Sequence, residues 1–567
     1  MPEIRKLYDE AMDPLIAPGA HFEIVAGEVA GNPVRRYKNA PETVCELFAP
    51  AYQHGDKEFL IYEGERWSFS HILSQAAEIG QSLVNKYGVA KGDRVAIAMR
   101  NVPEWMTAFI GITSIGAVVV PLNSWGTARE LEYALGDAGV KVLFCDEQRY
   151  QSVASALPAL GANAIVVRAK EVKVDANVCS FEGFLQGATG LAMPAVELAA
   201  TDPVMIMYTS GTTGKPKGAL STHAALGQAI FNFECTGMAL AMSNMDIVGK
   251  MMEKGLEPTN LLAVPLFHVS GCHAQFLVNL RAGRRIVMMY KWDAIRALQY
   301  IETEKITMIS AAPTMILDLL ESPGFAEADT SSLSGVGLGG AATPAKTIAL
   351  ISERVPDNFS GTGWGMTETN ALGSSMTGAA FNRANGSAGF IHPIVDVEIR
   401  DESGAALDHG NIGSLWVKSA SLVSEYWNRA DANASEFREG WFNSGDMGYT
   451  TGDGYLFLSD RAKDMVIRGG ENIYPVEIES QVINLAGVLE AVAFGLPHER
   501  LGEELALTVV TKVGSKLDEA SVHAYCREHL AAFKVPSRVF ITSEPLPRNA
   551  TKKVLKRQVK AAALAKI

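Results

Sequence analysis

The sequence predicts an α/β protein. Its large N-terminal body holds two doubly wound α/β subdomains plus a β-rich subdomain, and a small α+β C-terminal domain follows. Three observations predict this. Short β-rich apolar runs alternate with helical patterns in two stretches, one beginning at Asp93 and one at Val204, the signature of βαβ units and a largely parallel sheet. No fixed period relates the two stretches, which excludes a repeat array. Beyond Ile391 the texture turns strand- and turn-rich, punctuated by Gly410, Gly413, Gly440, Gly445, Gly448, Gly452 and Gly454, and from Arg461 strands and helices mix.

In chain order, DRVAIAM reads as a strand, VPEWMTAFIGITSIGA as a helix, VVVPL as a strand, ARELEYALGDAG as a helix and KVLFCD as a strand. The second stretch runs VMIMYTS, LLAVPL, a helix after Gly271, RRIVMM, a helix from Asp293, TMISAAP and a helix ending near Leu320. VGLGG, a helix after Thr343 and DNFSGTGWG complete it. Trp105 to Thr127 carries no charge and could pass for a membrane span. Its glycines, Pro121 and a change of period midway predict instead a helix of about three turns and a buried strand. The segment between Glu234 and Asn260 carries five methionines and is expected to be a flexible, partly buried connection. A lipid-facing or substrate-gating flap is the alternative.

Composition narrows the function. A chain of 567 residues, 48% hydrophobic, buries a large core and needs no disulfide or metal staple. Length alone suggests about four domains. The net charge of −13 argues against a general nucleic-acid binder. From Arg461 onward the balance is +4, leaving −17 for the rest. Six scattered cysteines without a CxxC pair read as a reduced, cytoplasmic protein with no zinc site. MPEIRKLYDE lacks the apolar stretch of a signal peptide, so a soluble protein without an integral membrane span is expected. A homodimer is compatible with the sequence, which leaves oligomeric state open.

The most informative segment is YTSGTTGKPKG, Tyr208 to Gly218, after a predicted strand and before a predicted helix. Small residues let backbone N–H groups converge without Cβ clashes, hydroxyls add donors, and Lys215 and Lys217 add charge: a polyphosphate grip. It is not the GxxxxGK[ST] loop of NTPases, because Pro216 follows Lys215. GVGLGG at 335–340 formally matches GxGxxG, but its strand is short and no acidic ribose-binding residue follows at the right distance.

The phosphate segment resembles that of the adenylate-forming (AMP-binding) superfamily: acyl-CoA synthetases, peptide-synthetase adenylation domains and firefly luciferases. Further landmarks resemble that family in order. They are PLFHVSG (265–271), GLGGAATP (337–344), GWGMTET (363–369), GWFNSGDMG (440–448), DRAKDMVIRGGENIYPVEIE (460–479) and LPRNATKKVLK (546–556). The resemblance spans at least Glu63 to Lys556.

The resemblance implies a set of site residues. Thr209, Ser210, Gly211, Thr212, Thr213, Gly214 and Lys217 would hold phosphates. Gly340, Ala341, Ala342, Gly363, Trp364, Gly365, Met366 and Thr367 would surround adenine, with Trp364 stacking where relatives mostly have Tyr; a core aromatic is the alternative. Glu368, with Thr209, would hold Mg2+ bridging phosphate oxygens. Asp446 would accept both ribose hydroxyls, reinforced by Arg461. His268 would touch the carboxylate or gate the acid pocket. Amino-acid-activating relatives carry Asp there, so an amino-acid substrate is disfavoured. Gly361 and Gly363 are expected to leave room for a bulky or long apolar acid. Lys553 would act over the α-phosphate as a catalytic residue, beside Glu368 and His268. Relatives usually have Gly before that Lys, and Lys552 here leaves open which lysine acts.

The implied organisation is a body, residues 1–460, and a mobile lid, residues 461–567, hinged at Lys463. In a second pose Gly469, Gly470, Glu471 and Asn472 would line a pantetheine channel. The expected activity is that of an AMP-forming acyl-CoA synthetase, an acid–thiol ligase. It would use ATP and Mg2+ to activate a carboxylic acid, a fatty acid first, as acyl-AMP and pass the acyl group to CoA. The alternatives are an aryl-acid–CoA ligase, an acyl carrier protein ligase, and a non-catalytic nucleotide-binding regulator. A luciferase-like oxygenase shares every motif.

Overall fold

Two apolar layers meet around one helix in the large body. The computed structural model describes residues 2–170, 177–209, 216–339, 343, 345–355, 359–384, 386–461, 464–468, 471–498, 500–512, 514–549 and 552–567. Helix Pro103–Ser114 is buried along its whole length. Trp105 and Phe109 stack at 5.6 Å between ring centroids, and Phe276 meets both edge-on. From Trp105 to Leu122 the charge-free stretch therefore reflects burial. Among the described residues no helix is long and apolar enough to cross a membrane.

The first sheet runs Glu425–Tyr426, Lys217–Thr222, Pro203–Thr209, Val118–Pro121, Arg94–Ala98, Val140–Asp146, Asn163–Val167, Val178–Ser180. It is parallel from Pro203–Thr209 onward, as the βαβ alternation requires. Helix Ala128–Ala138 opens on a capping box between Thr127 and Glu130 and closes on Gly139 in the left-handed region. The second sheet has a parallel centre: Glu58–Tyr62, Arg285–Met288, Thr259–Leu262, Met308–Ala311, Gly335–Leu338 and Gly361–Gly365. The strand-rich region continues this sheet instead of standing apart, because Gly361–Gly365 pairs antiparallel with Gly373–Thr377. It extends through Tyr455–Arg461 and Trp441–Thr450.

From Val466 the chain builds a separate five-stranded sheet, with Val488–His498 and Gly502–Thr511 at its centre. Helices Pro475–Val482, Glu519–His529 and Lys556–Leu564 cover it.

Two expectations are corrected here. The methionine-rich segment is helical rather than a flexible connection: helix His223–Met242 continues deep into it, and Met245–Glu253 forms a second helix. Methionine is a good helix former, and the Gly and Ser in the segment do not outweigh it. The phosphate segment does not run directly into a helix. Strand Lys217–Thr222 pairs antiparallel with Pro203–Thr209, Thr209 opposite Lys217, and the helix starts only at His223. The sheet edge captures GALST because Ser424 and Trp427 donate to the carbonyls of Leu220 and Gly218.

Candidate active site

Asn101 ties the two sheets together beside the segment of His268. Asn101, just past strand Arg94–Ala98, donates to the Val264 carbonyl at 3.0 Å and accepts from Leu266 N–H at 3.0 Å. This buried clasp fixes the segment carrying His268 against the first sheet. His268 precedes a helical turn, Val269–Gly271, that passes into a π-helical turn, Cys272–Leu277, a distortion common at functional sites. The half-buried imidazole is pushed down to about 4, first by desolvation and then by the Lys553 ammonium. It is therefore neutral at physiological pH, fit to accept or donate one hydrogen bond rather than to carry charge.

Lys553 reaches this place from the small domain on a tight hairpin. Asn549 N–H donates to the Lys553 carbonyl at 2.9 Å, and the Asn549 side chain accepts from Lys553 N–H at 2.9 Å. Lys552 has φ +65°, the left-handed region where glycine is the default. The two lysines have different surroundings: Lys553 is exposed and bears electrostatically on His268, whereas Lys552 lines a cleft with Arg100, Trp125, Tyr290 and Trp292.

Trp364 is the penultimate residue of strand Gly361–Gly365 and is buried, its indole N–H donating to Asp446 Oδ2 at 2.8 Å. It is both a core aromatic and the partner of the expected ribose ligand. A Cβ on Gly373 would stand 2.3 Å from its ring, so that glycine makes room for the indole. Gly361 and Gly363 do not open a pocket as expected. Added Cβ atoms would meet the carbonyls of Met376 at 2.3 Å and Ser374 at 2.8 Å, so these glycines serve close strand packing. Asp446 lies opposite Arg461 in strand register.

Gly365 and Met366 lead into a tight turn, Thr367–Thr369, that holds Glu368 buried. Glu368 Oε1 accepts from the Tyr426 hydroxyl at 2.8 Å, and Tyr426 lies 3.1 Å from Glu436 Oε2. Burial, then the two carboxylates, push the Tyr426 hydroxyl far above its ordinary pKa, so it stays protonated. Lys217 Nζ is 2.6 Å from Glu436 Oε1 and 4.1 Å from the Tyr426 ring centroid. Thr209 Oγ1 donates to the Lys217 carbonyl at 3.4 Å. A buried carboxylate backed by a hydroxyl suits a hard cation that keeps waters and substrate phosphates as its other ligands. Among the described residues no group of three or more His, Cys, Asp or Glu could hold a metal alone.

Ser210, Gly211, Thr212, Thr213, Gly214, Lys215, Gly340, Ala341, Ala342, Lys463, Gly469 and Gly470 lie outside the described residues. Glu471 and Asn472 pair through strand Glu471–Ile473 with Val466–Arg468. Tyr426, Glu436, His273 and Asn370 were not expected at the site. His273 Nε2 meets Asn370 Oδ1 at 3.0 Å, and Asn370, two residues past Glu368, also accepts from Ser221 at 2.8 Å. Only Asn370 had a sequence signal, its adjacency to GWGMTET. Nothing local marks Glu436, which meets Lys217 across 219 positions.

A family model described as AMP-binding enzyme matches residues 47–427, and one described as AMP-binding enzyme C-terminal domain matches residues 477–553. The chain belongs to the AMP-binding enzyme family. This AMP-binding enzyme is similar to the long-chain-fatty-acid–CoA ligase FadD13 of Mycobacterium tuberculosis, 33% identical over 83% of this chain and 88% of that protein. A feruloyl-CoA synthase of an Amycolatopsis species is 32% identical over 93% of this chain and 97% of that protein. Among solved structures, ATP-bound MatB from Rhodopseudomonas palustris superposes with TM-score 0.78 at 29% identity, covering 91% of this chain and 98% of that one.

Proposed function

We propose that this AMP-binding enzyme is an ATP-dependent carboxylate–CoA ligase that forms an acyl-adenylate and then a thioester, with a fatty acid as the first substrate class. The observation that supports this is the approach of the small domain's Lys553 hairpin to His268 of the body, close enough for the ammonium to bear on the imidazole. In the first half-reaction the carboxylate oxygen attacks the α-phosphorus and the bond to pyrophosphate breaks. Lys553 offsets the charge that builds on the α-phosphate oxygens, neutral His268 orients the carboxylate, and Lys217 holds phosphate. Mg2+, held by Glu368 with Thr209 nearby, would neutralise phosphate charge. In the second half-reaction the CoA thiol attacks the acyl carbon and AMP leaves. The lid, 461–567, turns on the body, 1–460, about Lys463, and Gly469, Gly470, Glu471 and Asn472 line the thiol's path. An aryl acid is the second reading, favoured by the near full-length likeness to the feruloyl-CoA synthase.

The test follows pyrophosphate and thioester with ATP, Mg2+ and CoA across short, medium, long-chain and aryl acids. Lys553→Ala is expected to slow adenylate formation by roughly 10²–10³-fold while thioester formation from supplied acyl-adenylate persists. Unchanged AMP formation would remove Lys553 from the mechanism. Acylation of a carrier protein but not of CoA would move the acceptor to a protein.

A further inference from the structure

Glu436 is the last residue of the short helix Ala430–Glu436. A two-way clasp fixes it: Asn433 Oδ1 accepts from Tyr426 N–H at 2.7 Å, and Asn433 Nδ2 donates to the Tyr426 carbonyl at 3.0 Å. Tyr426 itself sits on the strand that pairs with Lys217–Thr222. Helix end, strand and phosphate-loop exit are thus tied into one unit, and Glu436 is aimed at Lys217. The ion pair is short, 2.6 Å, and partly desolvated, with the lysine side chain 15% and the glutamate 32% exposed. The Lys217 ammonium has three donors but one charge, so the carboxylate that neutralises it weakens its pull on a phosphate oxygen.

We propose that Glu436 is a built-in counter-ion that competes with the nucleotide's phosphates for Lys217 and thereby sets the affinity for ATP. Tyr426 makes the exchange workable. Its single hydroxyl proton serves one carboxylate at a time, and with Glu368 at 2.8 Å and Glu436 at 3.1 Å it keeps an acceptor when either is engaged elsewhere. The inference rests on the reading of Lys217 as a phosphate ligand. Glu436 acts through Lys217 and is a positioning residue.

Calorimetric titration of the full chain with ATP, with and without Mg2+, tests it in wild type, Glu436→Gln, Lys217→Met and the double variant. Glu436→Gln is expected to tighten ATP binding roughly three- to tenfold, a modest coupling between neighbouring charges, and to lower KM for ATP by a similar factor. A merely structural brace would raise both. Glu436→Asp, which withdraws the carboxylate by one methylene, is expected to tighten binding less, and it replaces the Gln variant if that one does not fold. Lys217→Met is expected to weaken ATP binding in both backgrounds. If Lys217→Met weakens binding but Glu436→Gln and Glu436→Asp leave it equal or weaker, the counter-ion role is overturned while the phosphate role of Lys217 stands. If Lys217→Met leaves ATP affinity unchanged, the underlying reading fails and the inference falls with it.

Discussion

At the scale of single residues, the Trp364–Asp446 hydrogen bond is the contact with the sharpest consequence. An indole donor at 2.8 Å orients a buried carboxylate, and a phenyl ring, smaller but also flat and apolar, would keep part of the packing and lose the donor. Loss of one hydrogen bond to a charged acceptor is worth about 1.5 kcal/mol or more. Trp364→Phe is therefore expected to raise KM for ATP about tenfold, measured by acid-dependent ATP–pyrophosphate exchange. An unchanged KM would reduce Trp364 to a core residue that touches Asp446 incidentally. Gly373→Ala is expected to act the same way for a different reason, since the new methyl would overlap the indole.

At the scale of elements, the hairpin around Lys552 and Lys553 separates two neighbouring cations by backbone conformation. A non-glycine residue at φ +65° carries a strain of about 1 kcal/mol, so Lys552→Gly relieves strain while removing charge from the cleft of Arg100, Trp125, Tyr290 and Trp292. Lys552→Gly is expected to retain adenylate formation within about threefold of wild type, against the large loss for Lys553→Ala. A comparable loss in both would mean that the pair acts as a unit. Elements of this kind also mark what the sequence reveals. The strands of the two parallel sheets were legible because burial on both faces writes continuous apolar runs, as in VVVPL and KVLFCD. GALST was not legible as a strand: it is short and built of small residues, and its pairing with Pro203–Thr209 and with Glu425–Tyr426 decides it. Contiguous motifs let His268, Trp364, Glu368 and Asp446 be picked out as candidates from the sequence, whereas Tyr426 and Glu436 owe their position to pairing across distant segments, which no local pattern encodes.

At the scale of the whole molecule, buried neutral histidines tie stability to pH. Desolvation pushes His223 and His273 down to about 4 and His392 to about 3, alongside His268 at about 4. In the unfolded chain each would protonate near 6.5. Between these values the unfolded state binds more protons, so stability is full above about pH 6.5 and drains as pH falls toward 4. The raised carboxyls of Glu234 and Asp318, lifted first by burial, act with the opposite sign, so the clean measurement is a difference between variants. His392 is the best probe. Its Nδ1 accepts from Gly373 N–H at 3.3 Å, which leaves Nε2 to donate to Ser375 Oγ at 3.0 Å. Asparagine can keep the first of these bonds without a titratable ring. His392→Asn is expected to be less stable than wild type at pH 7.5, yet to lose stability more slowly between pH 6.5 and 5.5. The slope should be shallower by up to one proton, about 1.4 kcal/mol per pH unit, read from urea midpoints. Parallel slopes would mean that His392 is already protonated in the folded state, with water reaching a ring that the packing beneath Gly373 encloses.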